Sequence, residues 1–468
     1  MIGGSSNREN LPQPGEYTSS QLFKLAVLGQ LLVMLCAVRH EFVYGGSQHW
    51  ALNVAEGFVM IAGTVCGCVA LGRAVRQAGS LDVRFLIRTG ALLTMVAMLA
   101  PAFLSNDIWD YLARGRVEVL GSNPYVTAPE LLQSDPAMAP FLGPELAKWP
   151  KWVMPYGPIA AALQWLCALP DSPWVGAYLW KLLMALSHIG TSLVIYRTIQ
   201  LAATERQARS GLVLWLWNPW LLLECCGSAH NDALVALGLA VMCYGVVRSR
   251  YGLGAFGYGC GMLVKHGSPL ILPVLFCAAW RRRRLSGFAL GSSLILLLVA
   301  VGYAHYWSVD DGFAWILNQD SVARGSVSSI VGGYLGSGAG LALRLVGALV
   351  SLCLVIWAIR RARSEQAFAR LAVLAMVVFV MLFVPNFAPW YHLWWLPLIA
   401  LCNLPAMYRV LLMLAWTGPL SYLVLVTTHG FGPIHELWTL LSAGILPMLL
   451  VLQNWRSLLT VPSDKVEA

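Results

Sequence analysis

Ser105-Asn106-Asp107-Ile108-Trp109-Asp110-Tyr111, running on to Gly121-Ser122-Asn123-Pro124-Tyr125, decides how the chain is read. It follows a largely apolar run from Leu86 to Leu104. At ~1.5 Å per residue a helix of that length just crosses a bilayer. Two carboxylates directly after a membrane exit are costly to desolvate, so they need open water or a chemical task. The rest of the sequence reads as the scaffold that holds this loop over a lipid surface.

Composition points the same way. Of 468 residues, 58% are hydrophobic and 11% charged, whereas a soluble domain carries about a quarter charged residues. The expected fold is therefore an all-α polytopic membrane protein. The net charge of +9 sits in short basic clusters between apolar runs, which is a topological pattern and argues against nucleic acid as a partner. The 11 cysteines fall almost entirely within apolar runs without a CxxC pair near histidine, so they read as small buried hydrophobes rather than zinc or redox ligands. No cleavable signal is evident. Residues 1–20 read as a short disordered cytoplasmic tail and 457–468 as a second polar tail. Between them, 21–456 reads as one transmembrane domain without internal repeats.

Apolar runs at 22–38, 51–72, 86–104, 173–196, 211–227, 232–247, 286–304, 339–359, 367–384, 408–426 and 434–453, with shorter ones at 156–170 and 391–403, predict about 11–13 membrane segments. The pair 252–264 and 268–280 reads as a helical hairpin or as one helix broken at His266-Gly267. Arg73, Arg76, Arg84 and Arg88, the run Arg197 to Arg209, Arg248 to Arg250, Arg281 to Arg284 and Arg360 to Arg363 mark the cytoplasmic side. This puts the N-terminus in the cytoplasm. The first loop (105–155), Ser228 to Asn231, 305–338, Pro385 to Tyr391 and His429 to Glu436 then lie on the outer face, provided 156–170 is re-entrant or interfacial and does not cross. Acids, histidines and aromatics collect on that face, including Asp310 and Asp311, and loops on a rigid scaffold are where chemistry usually sits.

Asp107, Asp110 and Arg114 fall at i, i+3 and i+7, on one face of a helix. A carboxylate there can act as general base toward a sugar hydroxyl, or both can serve as helix caps. If the leaving group is a lipid-linked phosphate, no general acid is required, unlike the two-carboxylate arrangement of glycoside hydrolases. Lys148 to Tyr156 alternates Trp and Lys as a headgroup anchor or a sugar contact. His230-Asn231-Asp232 reads as a set of sugar ligands or as a helix cap, and Glu224, inside an apolar run, must be paired or protonated. Lys265 seeks an anion or snorkels to headgroups. Pro385 to His392, with Trp390 and Tyr391, lines a groove or forms an aromatic belt. Asp107 and Asp110 without a third ligand are weak support for a divalent cation, so no cofactor is expected.

Together these pieces resemble the polytopic polyprenol-phosphate-dependent glycosyltransferases of the GT-C superfamily, and most of all the bacterial polyprenyl-phosphate-mannose mannosyltransferases. The resemblance rests on Asn106-Asp107 to Tyr111, Arg114-Gly115-Arg116, Gly121 with Asn123-Pro124-Tyr125, Tyr156-Gly157-Pro158, Asn218-Pro219, His230-Asn231-Asp232, Val264-Lys265 and Pro389-Trp390-Tyr391, in family order over roughly residues 100–395. Lys265-His266 departs from it, since many relatives have Pro or an apolar residue after the lysine. The resemblance implies a catalytic first outer loop with Asp107 as base, helped by Asp110, and a hexose, with mannose expected, moved with inversion from polyprenyl phosphate to a glycan or glycolipid acceptor. Arg114, Arg116 and Lys265 are then phosphate candidates, and Asn123, Tyr125, Tyr156, His230, Asn231, Asp232, Trp390 and Tyr391 further substrate contacts. The implied location is the bacterial inner membrane, with the site on its periplasmic face. The competing reading is a transporter or flippase for a lipid-linked sugar. It calls for charges along a midplane path and paired broken helices, but mid-span charges are few (Glu56, Lys181, Glu224, Lys265).

Overall fold

A computed structural model describes residues 17–43, 50–102, 105–142, 150–306, 325–361, 364–402, 405–428 and 433–453. Most of the expected tails, together with Lys148, Asp310, Asp311 and 429–432, lie outside the described residues. Within them the chain is helical, and the only β-type pairing is an isolated antiparallel bridge between Gly325 and Asn386.

The helices are α1 (Ser19–Val43), α2 (Trp50–Arg76), α3 (Val83–Leu99), α4 (Asp107–Val119), α5 (Pro158–Cys167), α6 (Pro173–Ala202) and α7 (Glu205–Leu216). Next come α8 (Pro219–Gly227), α9 (Asp232–Val247), α10 (Tyr251–Val264), α11 (Ile271–Arg281) and α12 (Leu285–Ala304). The last are α13 (Val327–Leu335), α14 (Ser337–Arg361), α15 (Glu365–Phe383), α16 (Pro405–Ser421) and α17 (Ile434–Val451). Among the described residues seven helices are long and apolar enough to cross a bilayer, or eight if α8 and α9, bent by 117°, count as one span. The remaining apolar runs become shorter helices, for local reasons. Asp82 caps the start of α3, and Ala100, held extended ahead of Pro101, ends it. Asn218, capping Pro219, splits the 211–227 run into α7 and α8. Between α10 and α11 the chain is non-helical from Lys265 to Ser268, and the two helices pack mainly on other partners, α10 on α9 and α12, α11 on α14 and α15.

Successive loops gather at two opposite ends. At one end Arg209 bonds the carbonyls of Gly79 and Leu81, Arg281 donates to the carbonyls of Ile359 and Arg360, and Ala202, Val247 and Glu365 line one small cleft. The start of α1 is here too, with Arg73 over the Tyr17 ring. This is the basic end. At the other, Asn123 donates to the carbonyl of Tyr306 and Ser326 to that of Pro385. Helix α5 has only 10 residues, about 15 Å. The Gly157 N–H before it bonds Val264, and Arg116 holds the Ala168 carbonyl just after it, so α5 is tied at both ends and is too short to span a bilayer by itself.

Helices α12 and α14 are the least covered, exposing Leu296, Leu297, Leu345 and Leu349 as lipid-facing side chains. Helix α12 presses closely on α10 at glycine: a Cβ on Gly291 would stand 2.1 Å from the Gly252 carbonyl oxygen. Such small-residue contacts let transmembrane backbones approach. Gly291→Ala is expected to destabilise by about 1–3 kcal/mol through overpacking. Gly72→Ala, with nothing within 4 Å of the added atom, should instead gain about 1 kcal/mol of helix propensity. Tryptophan-fluorescence melting in nanodiscs measures both, and equal shifts would contradict the packing argument.

Candidate active site

The site is assembled where α4, the α8–α9 turn, the end of α10 and the aromatic segment 389–394 meet. Asp107 is the first residue of α4, where the helix dipole favours a carboxylate. Its own N–H donates to the Ser105 hydroxyl at 3.2 Å. The carboxylate faces the His230 Nδ1 at 3.4 Å and remains a quarter exposed, and the Tyr111 hydroxyl lies 3.5 Å from the same oxygen. Burial opposes its charge, but the His230 contact and the charges of His230, Lys265 and Arg114 outweigh it and hold the Asp107 carboxyl below the usual carboxylate range. Asp110 follows one turn on and is buried. Arg114 lies on the same face and anchors to the Trp152 carbonyl at 3.2 Å.

The His230 turn is held from beneath. Lys181, buried in α6, donates to the carbonyls of Ala100 at 2.5 Å and Gly227 at 2.6 Å. Trp180 Nε1 donates to Ala229 at 2.8 Å. Ala229 adopts φ 56°, a left-handed conformation uncommon for a residue with a Cβ. The His230 ring is stacked flat on Trp390, with centroids 3.7 Å apart. Its Nε2 stands 3.4 Å from Glu224, which is fully buried. Asn231 is also fully buried, and neither polar atom of its amide has a hydrogen-bond partner among the described residues. It makes no side-chain cap for α9. Asp232 binds Lys265 Nζ at 2.9 Å and Trp394 Nε1 at 2.5 Å.

Lys265 projects from the end of α10 into three aromatic rings, with Nζ 5.0 Å from the centroid of Tyr391 and 5.6 Å from those of Tyr156 and Trp394. Tyr391 in turn stacks on Trp394 at 4.1 Å. Gly267 has no side chain because Trp394 occupies the space: a Cβ there would lie 2.3 Å from the indole.

Asp107, His230, Asp232, Lys265, Tyr156, Trp390 and Tyr391 are thus brought together. Arg116 is directed elsewhere. It bonds the carbonyls of Ala137 and Ala168, pairs with Asp171 at 2.7 Å and covers the Phe141 ring, pinning the first loop to the start of α6. Asn123 and Tyr125 brace the same loop. The Asn123 side-chain Oδ1 accepts from the Tyr125 N–H and closes a turn, and the Tyr125 hydroxyl donates to the Tyr156 carbonyl at 2.8 Å. Trp394, Tyr422, Trp180 and the role of Glu224 are absent from the sequence reading of the site. Trp394 lies two residues past the aromatic run marked at Pro385 to His392, inside the short apolar run 391–403, and Glu224 belongs to the acids needing a partner, while nothing in the sequence singles out Tyr422. Among the described residues no three His, Cys, Asp or Glu side chains are arranged as a metal-ligand set.

The arrangement is a helical membrane scaffold that brings one partly exposed carboxylate and a caged ammonium into one site. The sequence signature described as Alpha-(1->6)-mannopyranosyltransferase, N-terminal domain, matches residues 25–281, more than half of the chain. The chain belongs to this family and is a membrane glycosyltransferase. It is 27% identical over 473 aligned residues to a probable alpha-(1->6)-mannopyranosyltransferase of Mycolicibacterium smegmatis, covering 87% of this chain and 80% of the relative. It is 26% identical to alpha-(1->6)-mannopyranosyltransferase B of Corynebacterium glutamicum, covering 88% and 74%. With alpha-(1->6)-mannopyranosyltransferase A of Mycobacterium tuberculosis it shares 26% identity, covering 70% and 66%. No solved structure matches.

Proposed function

We propose that the protein transfers a mannosyl group from a polyprenyl-phosphate donor to a hydroxyl of a glycan or glycolipid acceptor, in a single inverting displacement. The observation that carries this reading is the unequal state of the four carboxylates, of which Asp110 is buried. Glu224 and Asp232 are fully buried and bonded, whereas Asp107 alone is a quarter exposed. One available carboxylate supplies a base and leaves no nucleophile for a double displacement. Asp107 takes the acceptor proton as the acceptor oxygen bonds to the anomeric carbon. The bond from that carbon to the phosphate oxygen breaks, and polyprenyl phosphate leaves with the electron pair as a dianion. The additional negative charge develops near Lys265, whose side chain is 15% exposed. A single displacement that yields an α product, as the relatives' names specify for them, requires a β-linked donor.

The basic loops at the end opposite the site support a cytoplasmic basic end and a site on the outer face of the inner membrane, with the lipid donor entering sideways between α4 and the 389–394 segment. Purified protein in nanodiscs, given radiolabelled β-mannosyl polyprenyl phosphate and a cell-envelope glycolipid fraction, should label the acceptor. Radiolabelled GDP-mannose should not. Transfer from the nucleotide sugar would overturn the donor assignment, and flipping of the lipid without transfer would move the protein to the transporter class.

A further inference from the structure

We infer that Glu224 is a positioning residue for the catalytic base and acts through His230. The inference rests on the reading of Asp107 as base and deepens it.

His230 lies between two carboxylates, Nδ1 at 3.4 Å from Asp107 and Nε2 at 3.4 Å from Glu224. A neutral imidazole carries one bare lone pair, which here would face a carboxylate oxygen and be repelled. With both carboxyls ionised, both nitrogens therefore carry protons, and His230 is an imidazolium between two anions, met at ion-pair distance on either side. The ring cannot turn away, because it is stacked on Trp390 and fully buried.

Glu224 is itself fixed. Trp220 Nε1 donates to it at 2.9 Å, and the Tyr422 hydroxyl approaches both its oxygens at 2.9 and 3.1 Å. It lies on a π-helical stretch, Leu222–Gly227, a distortion common at functional sites. This buried carboxylate contacts nothing that the transfer step uses except His230. Its effect is to keep a positive charge beside Asp107, so that the base is ionised and aimed without spending its exposed oxygen on a partner. The other ionisable groups around this row are Tyr111 and Arg114 on α4, Tyr156, Asp232, Lys265 and Tyr391. Tyr422 faces Glu224 from behind.

Glu224→Gln separates the charge from the shape. The amide oxygen can still accept from Trp220 and Tyr422, while the amide nitrogen then faces Nε2. That nitrogen must become an acceptor, so His230 becomes neutral with its proton on Nδ1. Asp107 then loses one adjacent positive charge while its burial is unchanged. Its proton affinity rises, and the acid limb of kcat/KM moves up by about one pH unit or more. Both proteins should keep most of their transfer rate between pH 7 and the start of the limb, and at a pH below both limbs Glu224→Gln should be about tenfold slower than wild type, each relative to its own rate at pH 7. Glu224→Asp, which keeps the charge, should hold the limb near the wild-type position even where the rate falls. A loss equal at every pH would mark Glu224 as merely structural and overturn the inference.

A second readout needs no turnover. With 15N-histidine labelling, and the His230 signals assigned by their loss in His230→Asn, both ring nitrogens should be protonated in wild type at pH 7, and Nε2 should lose its proton in Glu224→Gln. A neutral His230 in wild type would sink the proposal even if Glu224→Gln fails to fold. Tyr422→Phe, which removes one donor to the carboxylate, then provides a milder variant expected to shift the limb in the same direction. Wild type that shows the imidazolium but transfers no mannose would refute the function and not the His230–Glu224 pairing.

Discussion

Asp107→Asn lowers mannosyl transfer by about 10²–10⁴-fold, the range expected for loss of a positioned general base. The amide has nearly the volume of the carboxylate, and its oxygen can occupy the position 3.4 Å from His230 Nδ1 that the carboxylate now holds. What it cannot do is take a proton from the acceptor hydroxyl. The change should therefore fall on kcat, with donor KM moving less than about threefold, because Asp107 is proposed to act on the acceptor hydroxyl and not to bind the donor. The pH dependence has a definite sign. The Asp107 carboxyl titrates below the ordinary carboxylate range, so wild type stays active as pH falls to 5 and loses its base only under more acidic conditions. Single-turnover transfer with saturating donor measures the effect. A variant within threefold of wild type would remove Asp107 from the base role and leave Asp110 as the next carboxylate to test.

Lys265→Met should act on two properties at once. Asp232 is fully buried, and Lys265 is its cationic partner at 2.9 Å, with Trp394 Nε1 as its other donor. Removing the ammonium leaves a buried carboxylate with one neutral hydrogen bond, a loss worth about 3–5 kcal/mol. Methionine retains much of the apolar stem packed among Tyr156, Tyr391 and Trp394, so the destabilisation reports the charge rather than a cavity. Asp232→Asn in the same chain removes the orphaned charge and should restore most of the stability. It should not restore donor affinity. If Lys265 faces the lipid phosphate, donor KM rises about tenfold or more in both the single and the double variant, the value of one charged hydrogen bond. Recovery of stability and KM together would make Lys265 a structural counter-ion and nothing more.

The helical scaffold was legible because bilayer thickness and the cost of exposed backbone in lipid leave few alternatives for long apolar runs. The face-sharing of Asp107 and Arg114 was legible by period, and the same period separates Arg116 from Arg114: two residues on a helix turn by about 200°, which carries Arg116 to the carbonyls of Ala137 and Ala168. His230, Lys265 and Tyr391 could be grouped because each stands at a helix end on one side of the bundle, so topology alone brings them near Asp107. Other features depend on tertiary contact. Glu224 announces only that it needs a partner, and its partner Tyr422 is 198 residues away. Lengths were harder still, since Pro101 and Asn218-Pro219 cut apolar runs that hydropathy reads as continuous.

The left-handed Ala229 has a consequence for how the protein meets its substrates. A non-glycine residue in that conformation costs on the order of 1–3 kcal/mol and persists only where its surroundings over-determine it. Here Trp180 grips the residue itself, and Lys181 clamps the chain two residues earlier. The cost is met when the chain folds, before any donor arrives, and the imidazole is delivered already aimed. Reorganisation at the moment of bond exchange is correspondingly small. Binding of the proposed lipid-linked donor then need only align the sugar, because the proposed catalytic groups are already in place.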